Sequence, residues 1–242
     1  MNADALAQAA NAFAVRLEEA KRAIGADFPW YPYGSLGNFT HLRAILRDNP
    51  LDQLISGGPV VDIGAADGEV AFFLESLGYA AGIVDHAPTN YNSLRGAALL
   101  RAHLHSTVTI DDVDLDSYFN LPGGDYNLLL LLGILYHLKN PFYVLERLAR
   151  SARHLLISTR VARFAPQGEP IQNISVAYLL GPSESNNDAT NFWIFSEAGL
   201  RQIFARTGWD VVSYLTVGDT VSSDPARSDR DERAFALLRS RF

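Results

Sequence analysis

Apolar residues recur at helical spacing at Leu6, Ala10, Phe13, Leu17, Ala20 and Ile24, which predicts an amphipathic helix over residues 3–24. Gly25 ends it. Next comes an aromatic stretch broken by prolines, Phe28-Pro29-Trp30-Tyr31-Pro32-Tyr33-Gly34. Each proline removes a backbone donor and restricts its predecessor, so this stretch is neither a regular helix nor a central strand. One or two helices follow over His41 to Leu54, interrupted at Asn49-Pro50. After Gly57-Gly58-Pro59 the grammar changes. Val60 to Ile63 reads as a short buried strand, Gly64 to Gly68 as a turn, and Val70, Phe73, Leu74 and Leu77 as a helix stripe closed by Gly78. Further strands are predicted at Ala81–Asp85, Val108–Val113, Asp125–Leu132 and His154–Ser158. Helices lie between them, around Tyr91–His103 and from Pro141 onward. The strand at Asp125–Leu132 has almost no polar alternation, so both its faces should be covered.

Strands alternating with helices predict a doubly wound, mostly parallel sheet. Arg163 to Asn191 breaks the rhythm with Pro, Gly, Ser and Asn and reads as an insertion. A helix starting at Ser196, a strand at Trp209–Val217 and a last strand at Arg233–Leu238 complete the chain. A polar loop, not a helix, joins the last two strands, so they predict an antiparallel C-terminal hairpin at the sheet edge. The expected organisation is an N-terminal helical and aromatic lid over residues 1–55 and one α/β domain of seven strands over 56–242, with the insertion at about 163–191.

Composition narrows the chemistry. With 242 residues, 48% of them hydrophobic and 19% charged, the chain buries a sizeable core and is not disordered. The absence of cysteine excludes disulfides, thiolate metal sites and thiol nucleophiles. Acidic residues at Asp4, Glu18 and Glu19 and the lack of a long apolar run argue against a targeting or membrane segment, and the expected location is cytoplasmic. The net charge of −7 disfavours nucleic acid as a partner. Nothing in the pattern calls for a metal. His103 and His105 form the closest histidine pair, but alternate positions at a helix end point apart.

The turn Asp62-Ile63-Gly64-Ala65-Ala66-Asp67-Gly68 lies between a strand and a helix, where glycines allow a tight turn and close approach of a ligand. Asp85 ends the next strand, placed to accept hydrogen bonds from ribose hydroxyls. The two features together favour a nucleoside-type ligand. Ala66 and Glu69 spoil a G-x-G-x-x-G dinucleotide fingerprint, and an acid there repels a pyrophosphate at the helix start. There is no phosphate-binding G-x-x-x-x-G-K-[ST] loop either, so a cofactor without phosphates is preferred.

With Asp62-x-Gly64-x-x-x-Gly68, Asp85 and Asp112-Val113 at successive strand ends, the sequence resembles class I S-adenosylmethionine-dependent methyltransferases. It departs from that family's first motif at the middle glycine, where Ala66 stands. The resemblance implies cofactor contacts at Asp62, Gly64, Ala65, Gly68, Asp85, His86, Asp112, Val113, Leu132 and Gly133, with the Asp112 carboxylate and the Val113 amide on the adenine. The segment Gly133-Ile134-Leu135-Tyr136-His137-Leu138-Lys139-Asn140-Pro141 is similar to a subgroup related to the bacterial tRNA wobble-uridine carboxymethyltransferase, which also holds small-molecule and glycan methyltransferases.

The resemblance implies in-line displacement of a methyl group from a sulfonium, where positioning and desolvation carry most of the catalysis. His137 is the first candidate base for a hydroxyl acceptor. Tyr136 and, more weakly, His41 join it as candidate catalytic residues. Trp30, Tyr31, Tyr33, Phe192 and Trp193 are candidate acceptor walls, and Arg43 and Arg160 candidate holders of an anionic substrate group. A small-molecule or glycan acceptor ranks first. A tRNA-modifying methyl- or carboxymethyltransferase and a noncatalytic S-adenosylmethionine-binding module stand as alternatives. Oligomeric state is not readable.

Overall fold

The computed structural model describes all 242 residues, Met1–Phe242. They divide into two compact units, Met1–Leu130 and Leu131–Phe242. The first unit begins with three helices, α1 (Ala3–Gly25), α2 (Asn38–Asp48) and α3 (Leu51–Ile55). Asn2 caps α1 by accepting from the Ala5 amide at 2.8 Å, a common way to satisfy one of the free donors at a helix start. The apolar stripe read from the sequence is the buried face of α1. Phe13 on it packs on Phe73 with ring centroids 5.7 Å apart, and Phe39 of α2 meets the same ring at 5.1 Å. Pro50 has no amide hydrogen to continue α2 and sits in extended backbone, which separates α2 from α3 where the break was expected.

Four parallel strands follow: β1 (Val60–Ile63), β2 (Ala81–Asp85), β3 (Thr109–Asp112) and β4 (Tyr126–Leu132), the unit boundary falling inside β4. Their order is β3-β2-β1-β4, with Val60 opposite both Ala81 and Leu128. Reversal of the order beside β1 makes a switch point at the carboxyl ends of β1 and β4, where open α/β sheets take ligands. Helices α4 (Glu69–Ser76) and α5 (Arg95–His103) connect these strands. All four residues of β1 are buried, as a strand covered on both faces requires.

The second unit holds a 3-10 turn (Leu135–His137), α6 (Pro141–Ala149), β5 (Ala152–Ala162), β6 (Ala177–Leu179), β7 (Trp193–Ser196), α7 (Glu197–Arg206), β8 (Trp209–Gly218), a second 3-10 turn (Ser228–Arg230) and β9 (Glu232–Ser240). Pro141 opens α6 and the Ser196 hydroxyl caps α7, both as the sequence predicts. β9 runs antiparallel to both β5 and β8. The expected C-terminal hairpin is therefore present, with β9 as its inner strand. Trp209 is fully buried, and its indole N–H donates to the Leu145 carbonyl at 3.0 Å.

The α/β class and the mostly parallel arrangement stand, but the expected count of seven strands is two short. Residues 177–179 form an edge strand antiparallel to 193–196, which in turn pairs in parallel with Val161 and Ala162 of β5. A three-residue strand shows no alternation that a sequence reading can register. No helix is long and apolar enough to cross a membrane.

Candidate functional site

The turn after β1 needs unusual backbone. Gly64, Ala66 and Gly68 all have positive φ, at 70°, 55° and 84°. The left-handed region costs a non-glycine residue about 1–2 kcal/mol, so Ala66 carries strain where the resembling family has glycine. A Cβ on Gly68 would stand 2.5 Å from Ile83 Cδ1 and 2.9 Å from Phe72 Cε2. Gly68→Ala is therefore expected to destabilise the fold by about 2 kcal/mol, read as a lower urea midpoint with unchanged slope.

Three acids ring this turn. Asp62, at 4% exposure, has a buried Oδ2 with no hydrogen-bond partner. Burial pushes its carboxyl well up, and the charges of Asp85 and Glu69 add to the shift. Asp85 accepts from the Ala66 amide at 3.2 Å, the His86 amide at 2.8 Å and Asn90 Nδ2 at 3.0 Å. Burial outweighs those donors and raises its carboxyl too. Asp112 is exposed and accepts from the Ala87 amide at 2.9 Å. The Val113 amide donates to the Asp85 carbonyl at 2.9 Å, so its hydrogen points into the backbone ladder and not at a ligand.

Behind the turn lies a buried ionic cluster that sequence reasoning missed. Lys21 Nζ sits 2.8 Å from Glu69 Oε1 and 3.2 Å from Asp67 Oδ2, with all three side chains almost fully buried. Glu69 Oε2 also accepts from the Ser35 amide at 2.8 Å, and Asp67 Oδ2 from the Tyr31 amide at 3.0 Å. Asp67 Oδ1 accepts from Asn92 Nδ2 at 2.8 Å, and the Tyr91 amide donates to the Tyr31 hydroxyl at 2.9 Å. The aromatic stretch and Ser35 just after it are thus tied to the turn and the start of α4 by Asp67 and Glu69. Tyr31 packs edge-on against Tyr33 and Tyr91, both at 5.6 Å, and those two rings are exposed. Trp30 instead donates to the Gly25 carbonyl and stacks on Phe28 at 4.5 Å. His41 is exposed on α2, and Arg43 pairs with Asp4 of α1 at 3.4 Å.

The second unit contributes a separate group of candidates. Leu132 ends β4 half-buried, and the Gly133 amide after it donates to the Ser158 carbonyl at 2.9 Å. In the 3-10 turn that follows, Tyr136 is buried, and the Arg233 guanidinium lies over its ring with Cζ 5.8 Å from the centroid and faces Asp231 at 3.5 Å. His137 Nδ1 lies 3.1 Å from both the carbonyl oxygen and the hydroxyl of Thr190. A carbonyl only accepts, so Nδ1 carries the hydrogen and Nε2 keeps its lone pair. Burial is the leading influence on the imidazole and holds it below its ordinary value. The Phe192 amide donates to the Tyr136 carbonyl at 2.7 Å, and the Trp193 indole to the Lys139 carbonyl at 3.3 Å. Phe192 and Trp193 therefore flank the His137 turn. Arg160 is buried, and its guanidinium is taken by Asp231, Ser185 and the Arg227 carbonyl.

A family model described as a methyltransferase domain matches residues 39–214. No curated protein sequence matches. Among solved structures, the N-terminal domain of EvdMO1, crystallised in the presence of SAH and D-fucose, aligns over 93% of this chain and 97% of its own, with 17% identity and a TM-score of 0.61. The PH0226 protein from Pyrococcus horikoshii aligns over 92% and 99%, with 13% identity and a TM-score of 0.56. The [4+2]-cyclase SpnF aligns over 87% and 86%, with 12% identity and a TM-score of 0.57. At these identities the likeness is one of fold.

Proposed function

This chain belongs to the methyltransferase domain family, and from that premise we propose that it transfers a methyl group from S-adenosylmethionine to a hydroxyl of a small-molecule or glycan acceptor. The observation that carries the cofactor is the ring of acids at the strand ends, above all the buried, unpartnered Oδ2 of Asp62. A buried carboxylate oxygen without a donor is costly, and a ligand that brings one relieves it. The α-ammonium of S-adenosylmethionine is such a donor for Asp62. Asp85 accepts three protein hydrogen bonds and, with about four acceptor sites per carboxylate, retains capacity for a ribose hydroxyl. Asp112 is open to the adenine amine. The positive-φ turn from Gly64 to Gly68, with Ala65 inside it, lets the backbone approach the ligand closely.

When bound, S-adenosylmethionine supplies a methyl group on a sulfonium, a good leaving group. The chain's own part is to hold both partners in line, exclude water and receive the acceptor's proton. His137 Nε2 receives that proton. Phe192 and Trp193, which flank the His137 turn, are apolar walls suited to a sugar or ring. Residues 1–55 act as the lid, and the acceptor is a small molecule, consistent with the net charge of −7. The likeness of Gly133–Pro141 to the tRNA-modifying subgroup supports a second reading, with an RNA acceptor. That reading requires salt-sensitive RNA binding, which a filter-binding series over salt concentration measures.

Calorimetric titration with S-adenosylhomocysteine tests the cofactor. The intact chain is expected to bind it, and Asp85→Asn to bind about 10- to 100-fold more weakly, the scale of a hydrogen bond to a charged group. No heat from the intact chain would overturn the proposal. Turnover is read as S-adenosylhomocysteine release with a panel of deoxysugars, phenols and hydroxy acids.

A further inference from the structure

We propose that Asp188 and Thr190, in the inserted segment, are positioning residues that lock His137 in one tautomer and aim its Nε2 at the acceptor. The inference rests on the reading of His137 as the base. It starts from the direction of each hydrogen bond. Asp188 Oδ1 accepts from the Thr190 amide at 2.9 Å and from the Thr190 hydroxyl at 2.7 Å. A carboxylate oxygen has no hydrogen to give, so the hydroxyl hydrogen points at Asp188 and the hydroxyl lone pairs point away from it. One of those lone pairs faces His137 Nδ1 at 3.1 Å, beside the Thr190 carbonyl at the same distance. Both atoms of Thr190 that face Nδ1 are acceptors. The neutral imidazole can satisfy them only as the Nδ1–H tautomer, which leaves the lone pair on Nε2.

The local contact between Asp188 and the Thr190 amide is an ordinary turn and alone says nothing about function. The hydroxyl distinguishes this arrangement. Reaching from residue 190 back to residue 137, it converts a surface turn into a support for a half-buried imidazole. The charged groups facing the imidazole are Asp188, which favours the imidazolium, and Arg233, which opposes it. Tyr136 packs on the ring at 4.3 Å and restricts its tilt. Burial is the largest single influence on Asp188 and pushes its carboxyl up, but the two Thr190 hydrogen bonds and His137 together outweigh it and hold the carboxyl below its ordinary value, so it stays ionised through neutral pH.

The test is nitrogen NMR of the full chain labelled at histidine, with the His137 signals identified by their loss in His137→Gln. The wild-type chain is expected to show Nδ1–H above its titration. Thr190→Val keeps the carbonyl acceptor but loses the hydroxyl and its tie to Asp188, so it should weaken the lock and raise the share of the Nε2–H tautomer, and Thr190→Ser should restore the wild-type spectrum. Asp188→Asn should shift the His137 titration to lower pH. An Nε2–H tautomer in the wild type, or spectra unchanged by Thr190→Val and Asp188→Asn, would refute the proposal. The measurement needs neither cofactor nor acceptor. Failure of the lock therefore appears in the spectra, whereas failure of the methyl-transfer reading appears as absent binding of S-adenosylhomocysteine.

Discussion

Replacing His137 with glutamine is expected to lower methyl transfer by roughly 10²- to 10⁴-fold, the range that a positioned general base contributes. Binding of S-adenosylhomocysteine should stay within a few-fold of wild type, because the acids proposed to hold it lie elsewhere. Glutamine keeps a polar side chain of similar reach but cannot take up a proton near neutral pH. The hydrogen bond from Nδ1 to the Thr190 carbonyl fixes which nitrogen is basic, and burial lowers the pKa from its ordinary 6.5. The sign of the pH dependence follows. A base works in its neutral form, so the wild-type rate should rise with pH through that depressed pKa and be level across neutral pH. The glutamine variant should lack this rise. Equal rates for variant and wild type on an accepted substrate would remove His137 from the mechanism.

The second large effect concerns stability. Lys21→Met is expected to destabilise the fold by about 3–5 kcal/mol, the usual result of removing one member of a buried ion pair. The cost comes from what remains. Asp67 and Glu69 are almost fully buried and share this one ammonium, at 3.2 and 2.8 Å. Without it, two carboxylates face each other with only amide and hydroxyl donors from Tyr31, Ser35 and Asn92. Methionine has a similar length and apolar stem, so packing is largely kept. Chemical denaturation should show the loss as a lower midpoint. Adding Glu69→Gln should recover part of it, since one unpaired charge is then removed. A single variant as stable as wild type would show that the cluster contributes little.

The spacing of apolar residues foretold most of the framework, because helices and buried strands write their periods directly into the chain. The turn from Gly64 to Gly68 and the acids at 62, 85 and 112 were also legible, since strand ends can be located from such patterns. Lys21 left a signal that went unread. It lies four residues after Leu17 and one after Ala20, on the apolar stripe of α1, where a lysine needs a buried partner. Asp188 and Thr190 left none. Their meeting with His137 depends on how a Pro- and Gly-rich segment folds back, and no periodic pattern encodes that. Strands β6 and β7 escaped for the same reason. Arg160 illustrates the opposite limit: its position after a strand suggested a ligand, while its donors are engaged by Asp231, Ser185 and Arg227.

The buried ionic cluster also bears on how acceptor range can diversify among relatives of this chain. An N-terminal segment that merely rested on the turn after β1 could be exchanged between lineages like a cassette. Here Asp67 in the turn and Glu69 at the start of α4 hold the N-terminal segment, so a foreign segment would have to bring a cation to the place of Lys21. Drift at one end of the pair demands a matching change at the other, and residues 21, 67 and 69 should covary as a set.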